Sequence, residues 1–92
     1  MDDRMLILND GTVIEGGYAG VSSRGNLWLW FTGYTMAQAV MMFLDPAKTA
    51  RIIFRGGEAE DIYEGYTELM NINLDASGQF HVGMAKGDES NV

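Results

Sequence analysis

The segment LMNINLDASGQFHVGM, from Leu69 to Met84, alternates apolar and polar side chains on both sides of a turn. That period of two predicts a β-hairpin. Met70, Ile72 and Leu74 share one face, and Phe80, Val82 and Met84 answer from the facing strand. A loop of three or five residues within DASGQ pairs Leu74 with Phe80, Ile72 with Val82 and Met70 with Met84. Gly78 is available for a left-handed turn position. Asn71, Asn73 and His81 then fall together on the opposite face.

The same punctuation recurs along the chain. Asp10-Gly11 separates Met5–Leu8 from Thr12–Ile14 and predicts a first hairpin. Gly56-Gly57 separates Ala50–Arg55 from Glu58–Glu64 and predicts another, with Ile52 facing either Asp61 or Ile62. The segment from Glu15 to Asn26 is rich in Gly and Ser and reads as irregular, with a short strand around Tyr18 to Val21. Leu27 to Phe31, LWLWF, reads as a strand with both faces covered or with one aromatic face exposed.

One stretch departs from this rhythm. In YTMAQAVMMFLDP, Thr35 and Gln38 fit a capping box and Pro46 ends a helix at Asp45. Met36, Ala39, Val40, Phe43 and Leu44 recur at helical spacing and predict the face turned to the core. Ala37, Met41 and Met42 lie off that stripe, so a helix this apolar needs cover on its outer side. Either the glycine-rich segment before Asn26 or a second subunit supplies it, which makes these three residues a candidate interface. The order β-β-β-α-β-β-β-β describes a small α+β domain, a curved antiparallel sheet with one helix packed on it. Ninety-two residues make a single domain, with the core expected over 4–85 and a frayed tail over 86–92.

Thirteen Asp and Glu against six Lys and Arg give a net charge of −7. Such a surface repels phosphate backbones, so direct nucleic-acid binding is disfavoured and a basic protein partner favoured. The chain has no cysteine, which removes disulfides, thiolate zinc sites and thiol nucleophiles. Its first residues are acidic where a signal peptide is basic, and no apolar run approaches membrane-spanning length. The expectation is a soluble cytoplasmic protein without membrane contact.

The strongest charge feature is EAEDIYEGYTE, which carries Glu58, Glu60, Asp61, Glu64 and Glu68. Alternate strand residues point the same way, so Glu58, Glu60 and Glu64 predict a carboxylate row suited to a groove of Arg and Lys. The competing reading is a solvated edge strand whose acids pair with Arg51 and Arg55 and discourage aggregation. Trp28 and Trp30 are candidates for stacking on a planar ligand, although strand aromatics are more often core. His81 is the only histidine, and no orienting group for it can be named from the sequence, so a sheet-face position is expected rather than catalysis. No metal or cofactor motif is present, and the expectation is a protein that is not an enzyme and needs no cofactor.

The succession LNDGTVIEGGYAG, LWLWFTGYTMAQAVMMFLDPAKTARIIF and DIYEGYTELMNI resembles small proteins encoded in phages and prophages of gut bacteria. The resemblance covers about Leu6 to Met84. It implies a part in virion assembly or an accessory factor acting on the host, and carries no site residue with it. Together with size and charge it gives three expectations. The first is an anti-defence inhibitor of the anti-CRISPR type, binding a host defence protein through the acidic strand in the host cytoplasm. The second is a virion or tail component that self-associates through Ala37, Met41 and Met42. The third is a sponge for a signalling nucleotide, with Trp28 or Trp30 stacking on its base.

Overall fold

The computed structural model describes residues 3–87. They form a small α+β domain of eight strands in two antiparallel sheets, with two short helices. The strands are β1 (Met5–Ile7), β2 (Val13–Glu15), β3 (Tyr18–Val21), β4 (Leu27–Phe31), β5 (Arg51–Gly56), β6 (Ala59–Glu64), β7 (Glu68–Leu74) and β8 (Phe80–Ala85). Helices α1 (Met36–Phe43) and α2 (Pro46–Thr49) lie between β4 and β5. The first sheet runs β2-β1-β5-β6 and the second β3-β4-β8-β7.

The single curved sheet and three leading strands expected from the sequence are thus corrected to two sheets and four leading strands. Alternation fixes which residues face inward but not which sheet a strand joins. The change of sheet happens between β2 and β3. There Gly16 adopts a φ of 78°, and Gly17 is so close to Leu6 that a Cβ would lie 2.6 Å from Leu6 Cδ1. Leu6 is fully buried, so Gly17→Ala should overpack the corner and cost about 1–3 kcal/mol in urea unfolding. Gly20→Ala, where a Cβ would meet nothing within 4 Å, should leave the midpoint unchanged.

Both sheets close on one core. Leu6, Ile14 and Ile52 come from the first sheet, and Leu27, Leu29, Phe31, Phe80, Val82 and Met84 from the second. At one end Phe31 stacks on Phe80 at 5.2 Å and on Phe43 of α1 at 5.5 Å, while Tyr34 meets it edge-on at 5.6 Å. Phe31 therefore joins the helix to the sheet.

The capping box is formed: the Gln38 amide donates to Thr35 Oγ1 at 3.1 Å, and the Thr35 amide to Gln38 Oε1 at 2.9 Å. The helix ends at Phe43, short of the expected Asp45, because Asp45 and Pro46 start a second helical turn, α2. Asp45 Oδ1 caps it by accepting from the Ala47 amide at 3.0 Å, with Pro46 in the first turn, where its missing N–H costs nothing. The core face of α1 keeps Ala39 and Phe43 of the predicted stripe, with Val40 half-buried, and differs at the other positions. Ala39, Met42 and Phe43 are buried, whereas Met36 is exposed and Leu44 is 59% exposed. Phe43 stacks on Phe31, and its neighbour Met42, not Met36, lies over the core.

Two hairpin registers also differ. In the β5–β6 hairpin Ile52 faces Tyr63, because the turn is Gly57-Glu58 and Gly56 still pairs with Ala59. Gly57, with a φ of 60°, makes that two-residue turn possible. In the β7–β8 hairpin Leu74 faces Phe80 and Ile72 faces Val82, as predicted, but Met84 faces Leu69. A bulge at Met70 shifts the register there. Of the expected tail, Lys86 lies over the Tyr66 ring at 5.1 Å and the Gly87 amide donates to the Gly65 carbonyl at 2.9 Å. The remainder, 88–92, lies outside the described residues.

Candidate functional site

Of the two options for LWLWF, β4 takes the one with an exposed aromatic face. Leu27, Leu29 and Phe31 are buried in the core, so alternation turns Trp28 and Trp30 to the outer face, where both are half-buried. Register then sets two rows across the outer face of the second sheet. One row reads Tyr18, Trp30, His81, Asn73 and the next Gly20, Trp28, Gly83, Asn71. Trp28 has a glycine on each side. Its six-membered ring lies against Gly83, where a Cβ would come within 2.9 Å of the indole carbons. Over Gly20 there is open space.

The result is a groove of about 370 Å³ lined by Tyr18, Gly20, Val21, Ser22, Trp28 and Trp30. Tyr18 supports its wall: the ring lies 5.4 Å from Trp30 and 5.1 Å from Phe54, with Arg4 over it at 5.6 Å. Trp30 in turn meets His81 edge-on at 6.4 Å. Phe54, Tyr18, Trp30 and His81 thus form a continuous chain of rings that holds the groove's side in place. Gly20 and Gly83 were not legible as site residues; only the register brings positions so far apart in sequence beside Trp28.

His81 sits on the sheet face, and it has an orienting group that the sequence did not reveal. Its Nε2 lies 3.0 Å from Asp75 Oδ2. Asp75 also accepts from the Ser77 hydroxyl at 2.6 Å and from the Ser77 and Gln79 amides at 2.9 and 3.1 Å. Ser77 therefore gives its hydrogen bond to the carboxylate and not to the imidazole, so the three do not form a nucleophile–base relay. The Ser77 hydroxyl first, then His81 and the Gln79 amide, hold the Asp75 carboxyl well below the usual carboxylate range. Because the folded-state value is depressed, the stabilisation is complete above the unfolded carboxyl value of about 4 and is lost as pH falls through the folded one. Thermal midpoints measured from pH 6 to pH 2 should fall less for Asp75→Asn than for the parent below about pH 4. Parallel curves would contradict this role for the turn.

The five acids of the 58–68 segment do not share one surface. Glu60 and Glu64 lie on the same face of β6, but Arg55 Nε meets Glu60 at 3.2 Å and Arg51 Nε meets Glu64 at 3.8 Å. Glu58 occupies the turn, Asp61 points to the other face of the strand, and Glu68 begins β7 in the second sheet. The pairs are largely exposed and contribute about 0–1 kcal/mol each. They lower the charge the row presents. β6 is an edge strand, and Ile62 between its two glutamates continues an apolar row with Ile53, Ile7 and Val13 across the first sheet.

Of the helix residues singled out from the sequence, Ala37 and Met41 are on the outer side, Met41 being 73% exposed, while Met42 is buried against the core. Tyr34, Ala37, Gln38, Met41, Met42 and Lys48 surround a shallow depression of about 410 Å³. No residue of the segment from Glu15 to Asn26 lines it; the central part of that segment is β3 of the second sheet.

Among the described residues no group of three His, Asp or Glu side chains could hold a metal ion, and no helix is long and apolar enough to cross a membrane. Compared with protein-family models, curated proteins and solved structures, the chain matches none.

Proposed function

We propose that this is a binding domain without catalytic activity of its own, and that its ligand site is the groove over Gly20 on the outer face of the second sheet. The observation that carries this reading is the pairing of Trp28 with two glycines. One glycine seats the indole and the other leaves a preformed space beside it, between Trp28 and the Tyr18–Trp30 pair. A concave, mostly apolar site with a few polar groups at its rim is the usual form of a small-ligand pocket. The Trp28 and Trp30 indoles are the only two in the chain, so ligands that enter the groove report themselves in tryptophan fluorescence. Titration with ring-shaped small molecules should change the emission of the parent protein and leave that of Gly20→Leu unchanged. An equal response from both proteins would overturn the assignment.

A second reading has its own support. The acidic edge strand β6 and the apolar row Val13, Ile7, Ile53 and Ile62 suit contact with a protein partner, such as the host defence protein expected from the size, the charge and the acidic strand. In that reading Ile62→Asp abolishes inhibition of a purified defence nuclease and Gly20→Leu leaves it intact.

A further inference from the structure

If the Gly20 groove is the ligand site, the side chains around it select among ring-shaped ligands. We propose that this face takes a neutral carbohydrate, a chain of pyranose rings with equatorial hydroxyls lying across Trp28 and into the groove.

A pyranose with equatorial hydroxyls is flat. Its two faces expose C–H bonds and its rim exposes hydroxyls. The face of an indole carries negative quadrupole charge and attracts C–H bonds polarised by neighbouring oxygens, so Trp28 and Trp30 suit the faces of such a ring. The rim needs groups that both donate and accept, because a hydroxyl does both. Ser22 lines the groove, His81 neighbours Trp30, and Asn73 and Asn71 lie one strand further on, across β8, on the same face. Each primary amide offers two donors and an acceptor without charge. Four strands at about 4.8 Å spacing give the face a width of about 14 Å, room for several linked rings rather than one.

Charge separates this ligand from the nucleotide that the tryptophans first suggested. A nucleotide brings phosphate to a chain of net charge −7, and none of the residues lining the groove is basic. Arg4 is engaged over the Tyr18 ring. An uncharged aromatic compound would satisfy the indoles but give the amides on β7 nothing to bond. A sugar chain uses both.

Isothermal titration of the full chain with β-1,4-linked gluco-oligosaccharide, with its N-acetylglucosamine counterpart, with AMP and with indole tests this directly. At least one oligosaccharide should bind at millimolar concentration or below while AMP does not. Asn73→Ala should weaken that binding about three- to ten-fold, the loss of one hydrogen bond, and Gly20→Leu should abolish it with an unchanged circular dichroism spectrum. If neither oligosaccharide binds while AMP or indole binds and is lost in Gly20→Leu, the carbohydrate assignment is overturned and the groove remains the site. Oligosaccharide binding that survives in Gly20→Leu would overturn the groove itself.

Discussion

Phe31→Ala is expected to lower the unfolding free energy by about 3–5 kcal/mol, the range for removing a large buried aromatic and leaving a cavity. Phe31 is buried and stacks on Phe80 and Phe43, with Tyr34 against its edge. The truncation therefore detaches α1 from the second sheet as well as emptying the core. Domains of this size have roughly 5–14 kcal/mol in total, so the loss is a large fraction of the whole. Urea unfolding followed by circular dichroism should show a much lower midpoint at an unchanged slope. Leu44→Ala is the control. It removes a similar apolar side chain from the cap of the same helix, but one that is 59% exposed, and should cost under about 0.5 kcal/mol. A loss below about 1 kcal/mol for Phe31→Ala would mean that the helix is not seated on this stack.

Trp28→Ala should weaken ligand binding by about 5- to 150-fold, since stacking on an aromatic platform contributes roughly 1–3 kcal/mol. Stability should change far less than with Phe31→Ala, because the indole is half-buried on the outer face and contacts Gly83 rather than the core. The two substitutions thus separate binding from folding on a single strand. Neighbouring residues of β4 point in opposite directions, and one set holds the fold while the other meets the ligand. A Trp28→Ala protein that binds as tightly as the parent would remove the platform from the account.

Those roles were only partly legible in the sequence. The last hairpin could be read because its side chains alternate cleanly on both strands, and Leu74 does face Phe80. The bulge at Met70 could not, since an extra residue in an exposed edge strand leaves the alternation on either side intact. The start of α1 was legible from Thr35 and Gln38, which have a local hydrogen-bond reason, whereas Pro46 opens α2 and does not mark the end of α1. Its buried face was legible at Ala39 and Phe43 and not at its edges. An eight-residue helix with Gln38 as its one polar residue offers almost no contrast from which to choose between Met36 and Met42. The change of sheet falls at Gly16 and Gly17, where Leu6 leaves no room for a Cβ, an approach between residues that no local pattern connects.

The groove is the same kind of case. Trp28 and Trp30 stand out in any reading of the sequence, but Gly20 and Gly83 become site residues only when β3, β4 and β8 lie side by side. The acids of β6 stand out equally, yet the register pairs two of them with Arg51 and Arg55. What the sequence displays as a charge run, the hairpin partly neutralises.

The central claim, that ligand enters beside Trp28 over Gly20, is tested most directly by amide and indole NMR during titration with the oligosaccharide of highest affinity. The predicted result is progressive shifts of both indole N–H signals and of the Gly20 amide, with the β6 amides unmoved and every shift absent in Gly20→Leu. Shifts concentrated on β6 or on α1, with both indole signals stationary, would contradict it.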